Sequence, residues 1–181
     1  MTNSQGFNLY ALQVKTRGEE KFMRLFRSQN SLSPLRLYFP QRSLDICRKG
    51  KITPSRHAVF SGYVFLELDK DEDVRRYLYA FTKTEGFFRF LRSNADIAPL
   101  QNRDLELIRH FIKIGPLAGK SKVYFDENSR IVVLEGPLSG LEGRIVKVDK
   151  RKKRAKIMLD LYADSFCIDL AFEVMAKRTP V

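Results

Sequence analysis

The sequence predicts an α+β domain, a mainly antiparallel sheet covered by helices, followed by a small all-β barrel of SH3-like size. Strand-like and helical patterns alternate up to about residue 115. A short stretch of small and charged residues, "PLAGKSK", then intervenes, and beyond it helical periodicity stops. Five short strand patterns punctuated by turn residues fill the remainder, too few and too short for a broad open sheet with a buried face, so closure into a barrel is the economical solution. The expected division is a first domain over 7–115, a linker over 116–121 and a barrel over 122–178.

Taken in order, "LYALQV" (Leu9 to Val14) reads as a first strand. Thr16, three residues before Glu19, offers a capping box for a helix whose apolar face is Phe22, Met23 and Phe26. "LRLYFPQRSLDIC" is strand-like but interrupted by Pro40, and the turn-rich "RKGKITPSRH" reads as a long charged loop before a strong strand, "AVFSGYVFLEL". "DKDEDVRRYLYAF" begins acidic, as a helix dipole prefers, and carries Val74, Tyr77, Leu78 and Phe81 on one side. "GFFRFL" gives a further strand, and "LQNRDLELIRHFIKI" a last helix with Leu105, Ile108, Phe111 and Ile112 in its stripe and Gly115-Pro116 at its end. The barrel strands are expected in "VYF", "RIVVLEG", "LEGRIVKV", "AKIMLDLY" and "FCIDLAF", with Gly136, Gly140 and Gly143 at tight turns.

Composition narrows the function. The 181 residues are 44% hydrophobic, enough for real cores, and carry a formal net charge of +12, which favours a polyanionic partner. Cys47 and Cys167 have no metal-ligand or redox spacing, and His57 and His110 stand alone. Without a nucleophile elbow, a Walker-type glycine loop or a metal-binding pair, the chain is not expected to be an enzyme or to hold a cofactor or metal. No apolar stretch has spanning length and no basic-then-apolar leader is seen, so a soluble, cytoplasmic protein without membrane attachment is expected.

The densest charge lies in "KVDKRKKRAKIML", where six of the seven positions from Lys150 to Lys156 are basic. Its flanks, "GRIVKV" and "KIMLDLY", are β-prone, so the run reads as the turn of a hairpin rather than as a disordered tail. Eight basic residues, Arg144, Lys147, Lys150, Arg151, Lys152, Lys153, Arg154 and Lys156, stand there against the single Asp149. They are candidate RNA-phosphate contacts. A second cluster, Arg48, Lys49, Lys51 and Arg56, has no aromatic residue for base stacking, so it reads either as a solvated loop or as a phosphate contact without sequence readout.

Two separated segments carry a family resemblance. "FSGYVFLEL" (Phe60 to Leu68) resembles the "FPGYV" segment of the N-terminal (NGN) domain of the NusG family of transcription elongation factors, and "EGPLSGLEGRIVKVD" (Glu135 to Asp149) resembles its KOW motif. "GFFRFLRSN" before "IAPLQNRDLELI" is similar to the family's Gly-Phe strand and last NGN helix. Ser61 stands where proline is usual, and Leu9 where tryptophan is commoner. The resemblance implies that the NGN domain docks on the clamp helices of the large subunit of RNA polymerase and favours continued elongation, with Tyr10, Phe60 and Tyr63 as contact residues. The same docking implies that Arg48, Lys49, Lys51 and Arg56 lie beside the DNA of the transcription bubble. Tyr162 falls near the family position that meets Rho or a small-subunit ribosomal protein; an ordinary barrel aromatic is the equal alternative.

The charge of the KOW hairpin makes the chain resemble the specialised, operon-targeted branch of the family, above all the LoaP type of antiterminator, whose KOW domain binds a hairpin in the leader RNA. The alternatives are a housekeeping NusG-type elongation and termination factor, or a KOW-bearing ribosomal or free RNA-binding protein. The last would leave the NGN half unexplained.

Overall fold

The computed structural model describes residues 6–31, 35–162 and 164–176. In chain order the strands are β1 (Phe7–Val14), β2 (Arg36–Tyr38), β3 (Gln41–Arg48), β4 (Lys51–Ala58), β5 (Tyr63–Asp69), β6 (Phe87–Phe90), β7 (Leu117–Ala118), β8 (Ser121–Phe125), β9 (Ile131–Glu135), β10 (Ile145–Asp149), β11 (Arg154–Leu161) and β12 (Asp164–Val174). The helices are α1 (Glu19–Gln29), α2 (Leu78–Lys83) and α3 (Asn102–Ile114). These elements gather into two compact units, the described residues of Met1–Phe39 with Phe60–Arg109, and Pro40–Val59 with the described residues of His110–Val181. Residues 177 and 178, the end of the expected barrel, lie outside the described residues.

In the first unit the sheet order is β2-β5-β1-β6, antiparallel throughout. β1 and β5 are central, and side chains on both of their faces are buried. Tyr10, Leu12 and Val14 from β1 and Val64, Leu66 and Leu68 from β5 join Phe22 and Phe26 of α1, Phe81 of α2 and Phe90 in one core. Phe26 stacks on Phe81 with ring centroids 4.4 Å apart. The segment from Asp69 to Phe81 expected as a helix starts instead with a 3-10 turn, Val74–Tyr77, in which Asp73 accepts from the Arg75 backbone N–H, and becomes α-helical only at Leu78.

The capping box expected at Thr16 and Glu19 does not form. Gly18 occupies the N-cap of α1 with no side-chain cap bond, and Glu19 is turned into the interior, where Oε1 accepts a 2.7 Å hydrogen bond from the Gly62 backbone N–H. Gly62 has φ +82°, a conformation costly for other residues, so the turn of "FSGY" is fixed by a glycine and a buried carboxylate together.

The second unit contains a three-stranded sheet, β4-β3-β7, and a five-stranded one, β10-β11-β12-β8-β9. Residues 48–57, expected as a long loop, are instead the end of β3, the turn and most of the return strand of the β3–β4 hairpin, paired from Gln41↔Ala58 to Arg48↔Lys51. The expected linker is likewise structured, since Leu117 and Ala118 pair in parallel with Gln41 and Arg42. β11 shows period-two burial, with Ala155, Ile157, Leu159 and Leu161 inward. They meet Val123, Ile168, Leu170 and Phe172 among the buried apolar residues of this unit. Buried Ser121 accepts a 2.9 Å bond from the Leu138 N–H, and Gly136, at φ +101°, lies so close that a Cβ would sit 2.7 Å from the Ser121 Cα. Gly140 also has positive φ, whereas Gly143 does not and has open space where its side chain would be, so the tight-turn requirement expected there is absent.

The β3–β4 hairpin is tied to β11 by Arg154, whose mostly buried guanidinium donates through Nη2 to the Asp45 carbonyl and lies 4.0 Å from Asp169 Oδ2. At the surface Lys120 Nζ is 2.6 Å from Asp45 Oδ2, and within the hairpin itself Arg42 donates to the Ala58 carbonyl. Burial pushes Arg42 down to about 10, with Asp169 opposing the shift and Arg154 adding to it. His57 is held below its ordinary value by burial and then by the charges of Arg42 and Arg154. Arg42 Nε, His57 Nε2 and Arg154 Nε are buried with no hydrogen-bond partner among the described residues.

Two outcomes follow from this packing. Gly136→Ala should lower the urea midpoint by the equivalent of about 2 kcal/mol or more, because the new Cβ meets backbone and the φ is unfavourable, while Gly143→Ala should be within about 1 kcal/mol of neutral. Because folding depresses the His57 imidazole below its unfolded value of about 6.5, the unfolded chain binds the proton first; this contribution to stability is complete above that value and is lost as pH falls below it. Denaturation from pH 7.5 to 5 should therefore show a loss of stability that His57→Gln removes, and an identical pH profile in the two proteins would contradict the assignment.

Candidate nucleic-acid interface

The basic run forms the β10–β11 turn expected of it. Asp149 Oδ1 accepts from the Lys152 backbone N–H at 2.8 Å, and Lys153 takes φ +51° before the chain enters β11. That hydrogen bond is the main reason the Asp149 carboxyl lies below the usual carboxylate range; the charges of Lys152, Arg151 and Lys147 add to it. The only acid of the run is thereby committed to shaping the turn. Lys150 lies over the Phe125 ring, its Nζ 4.3 Å from the centroid, which ties the start of the turn to β8.

The eight candidate cations separate into distinct roles. Lys147, Arg151, Lys152, Lys153 and Lys156 are exposed and form no ion pair among the described residues. Lys147 and Lys156 are cross-strand partners on β10 and β11. Together with Lys152 and Arg154, and with Asp149 and Asp169, they line a shallow depression of about 130 Å³. Arg144 is instead paired with Asp160 at 3.3 Å, and Arg154 is turned in toward Asp45 and Asp169 with 16% of its side chain exposed. The depression thus has three exposed lysines, Lys147, Lys152 and Lys156, beside an arginine committed to structure. Arg48, Lys49, Lys51 and Arg56 are all exposed on the β3–β4 hairpin, with Lys49 at φ +50° in its turn. Tyr162 is 45% exposed at φ +58° where β11 turns toward β12.

The three aromatics expected on one polymerase-facing surface are not brought together. Tyr10 pairs with Leu66 and faces the helices, 5% exposed, its ring edge-on to Phe90 at 6.5 Å; burial is the first cause of its raised pKa. Phe60 is 1% exposed and packs edge-on against Phe65 at 5.4 Å, on the opposite face, since Phe65 is the neighbour of Leu66 along β5. Tyr63 shares the Phe65 face and is half-buried, its N–H donating to the Phe60 carbonyl. The period-two run Tyr10, Leu12, Val14 is the available signal that Tyr10 is a core residue. The aromatics that do face solvent, Tyr79 and Phe88, are not singled out by the sequence pattern as surface residues. Tyr79 lies off the Val74, Tyr77, Leu78 and Phe81 stripe, and Phe88 lies between two core phenylalanines of the edge strand β6.

Among the described residues no group of acidic, histidine or cysteine side chains could hold a metal ion, and no helix is long and apolar enough to cross a membrane.

Comparison with known proteins agrees with this architecture. The transcription termination factor nusG family model matches residues 7–109. The transcription termination/antitermination protein NusG of Neisseria meningitidis serogroup B is 23% identical over 93% of this chain and 96% of its own length. The Buchnera aphidicola protein of the same name is 22% identical over 98% and 100%. Among solved structures, one described as showing domain interaction in Thermotoga maritima NusG shares the fold with a TM-score of 0.58 at 17% identity, covering 93% of this chain and 96% of that one. With the family model spanning more than half of its length, the chain belongs to the NusG family, and is a transcription factor of the termination and antitermination type rather than an enzyme.

Proposed function

We propose that this protein is an antitermination factor that docks on RNA polymerase through its first unit and holds a structured RNA, such as a leader hairpin, through the basic turn of its second. The observation that carries the RNA reading is that exposed Lys147, Lys152 and Lys156, none in an ion pair among the described residues, line one depression, with Arg151 and Lys153 exposed in the adjoining turn and Asp149 already engaged by that turn. Charges arranged this way match phosphate, and because the major groove of an RNA duplex is too deep and narrow for side chains to read, recognition rests on the shape and backbone of the RNA. On the first unit Tyr63 is the aromatic we assign to the polymerase clamp helices, with Phe60 setting its backbone from behind; Tyr10 supports the sheet. Tyr162 is exposed where a protein partner of the barrel, Rho or a ribosomal protein, would meet it. A housekeeping factor of the same family is the second reading, favoured by the near full-length match to general NusG proteins.

Replacing Lys150, Arg151, Lys152 and Lys153 by Gln should lower affinity for a leader RNA hairpin and flatten the logarithmic salt dependence by roughly 0.7–0.9 for each phosphate no longer neutralised. Polymerase pull-down should be unchanged in that variant. Terminator read-through at wild-type level despite the four changes would leave the housekeeping reading standing. Tyr63→Ala should cost about 1–2 kcal/mol of polymerase affinity with the circular dichroism spectrum preserved, and undiminished capture by the folded variant would remove Tyr63 from the interface.

A further inference from the structure

We propose that the β3–β4 hairpin and the basic β10–β11 turn form one composite RNA-binding surface, on which Arg48, Lys49, Lys51 and Arg56 extend the grip of that turn onto the same RNA molecule. The inference rests on the RNA reading above and goes beyond it, because the family resemblance assigns the hairpin cluster a separate partner, the DNA of the transcription bubble.

Three observations support it. The first is proximity. The hairpin and the turn belong to the same compact unit. Arg154, the residue that follows Lys153 of the basic turn, donates to the carbonyl of Asp45, three residues before Arg48 on β3. Three residues of strand amount to about 10 Å, so the two clusters lie well within the roughly 16 base pairs that a small double-stranded RNA-binding domain covers. Lys120 neutralises Asp45, the acid of the hairpin nearest the seat, at 2.6 Å.

The second observation is the charge left over. Arg48, Lys49, Lys51 and Arg56 are exposed, form no ion pair among the described residues, and have no acidic residue between them. The third is rigidity. The hairpin is tied at its base by the parallel pairing of β3 with β7, where the Gln41 N–H donates to the Pro116 carbonyl at 3.0 Å, and at mid-strand by Arg154 of β11, which donates to the Asp45 carbonyl. A rigid RNA helix can therefore meet both clusters without either having to be ordered first, which favours structured RNA over single strands. The hairpin has no exposed aromatic that would stack on unpaired bases, which disfavours the displaced DNA strand.

The test uses the full chain and three probes: an RNA stem-loop of about 20 base pairs, a DNA duplex of the same sequence, and the unpaired RNA strand. Arg48→Gln, Lys49→Gln, Lys51→Gln and Arg56→Gln combined should weaken stem-loop binding about tenfold or more at 0.1 M salt and lower the slope of log affinity against log salt by roughly 1.4–3 units, as expected when two to four phosphates are no longer neutralised. Arg154→Gln, which unseats the hairpin while leaving all four of its cations in place, should lose part of the same slope; Lys51→Gln alone, at an exposed position, keeps the test informative if Arg154→Gln does not fold. An unchanged stem-loop slope in the four-residue variant, or a loss confined to the DNA duplex, would overturn the composite surface. If the turn variant of Lys150 to Lys153 still reduces stem-loop binding in that case, the RNA reading survives without this extension; if neither variant does, both fail.

Discussion

A guanidinium removed from water must be met by oxygen, and at Arg154 that requirement organises the second unit. The residue lies in the most basic segment of the chain, yet its charge is spent inward on the Asp45 carbonyl and the Asp169 carboxylate. Had it turned to solvent like its neighbours, the hairpin would lose the donor that holds the middle of β3, and Asp169 would be left beside Arg42 alone. Removing one partner from a buried charged group commonly costs several kcal/mol, because the other is left uncompensated. The balance is delicate: two arginines and a neutral histidine share one carboxylate and two backbone carbonyls, and protonating the imidazole adds a third positive charge to the same space.

The first unit rests on a different principle, a sheet whose central strands are buried on both faces. β1 sends Tyr10, Leu12 and Val14 one way and Leu9 and Ala11 the other, all of them almost inaccessible. Such a strand leaves little exposed side-chain surface, and half-buried Tyr63 at the start of β5 follows directly on the Gly62 turn. Glu19 is the hinge of that arrangement, since one buried carboxylate joins the first turn of α1 to the turn that presents Tyr63.

Much of this is legible in the sequence wherever apolar residues recur with a clean period. Ala155, Ile157, Leu159 and Leu161 announce β11, and Phe22 with Phe26 announces the buried side of α1. The basic turn is legible because its flanks alternate. β4 is not, because "KITPSRHA" contains a proline, two basic side chains and a histidine and no apolar alternation; its strand conformation comes from pairing with β3, a tertiary effect. Glu19 misleads because its spacing from Thr16 matches a local capping box, whereas its partner is forty-three residues away. Arg154 cannot be told from the cations around it by sequence, since only the packing of β3 against the outer side of β11 and β12 distinguishes it.

The position of β4 has a consequence for the behaviour of the protein at high concentration. It is the outer strand of its sheet, with one side of its backbone unclaimed by any neighbour in that sheet. An unpaired strand edge is a template on which a second copy can add, and the usual defences are proline and lysine. β4 has Pro54 near its middle and Lys51 and Arg56 toward its ends, so an approaching strand meets a missing donor and a repelling charge. Lys51 and Arg56, proposed above as phosphate contacts, are thus also the residues that oppose strand addition at this edge.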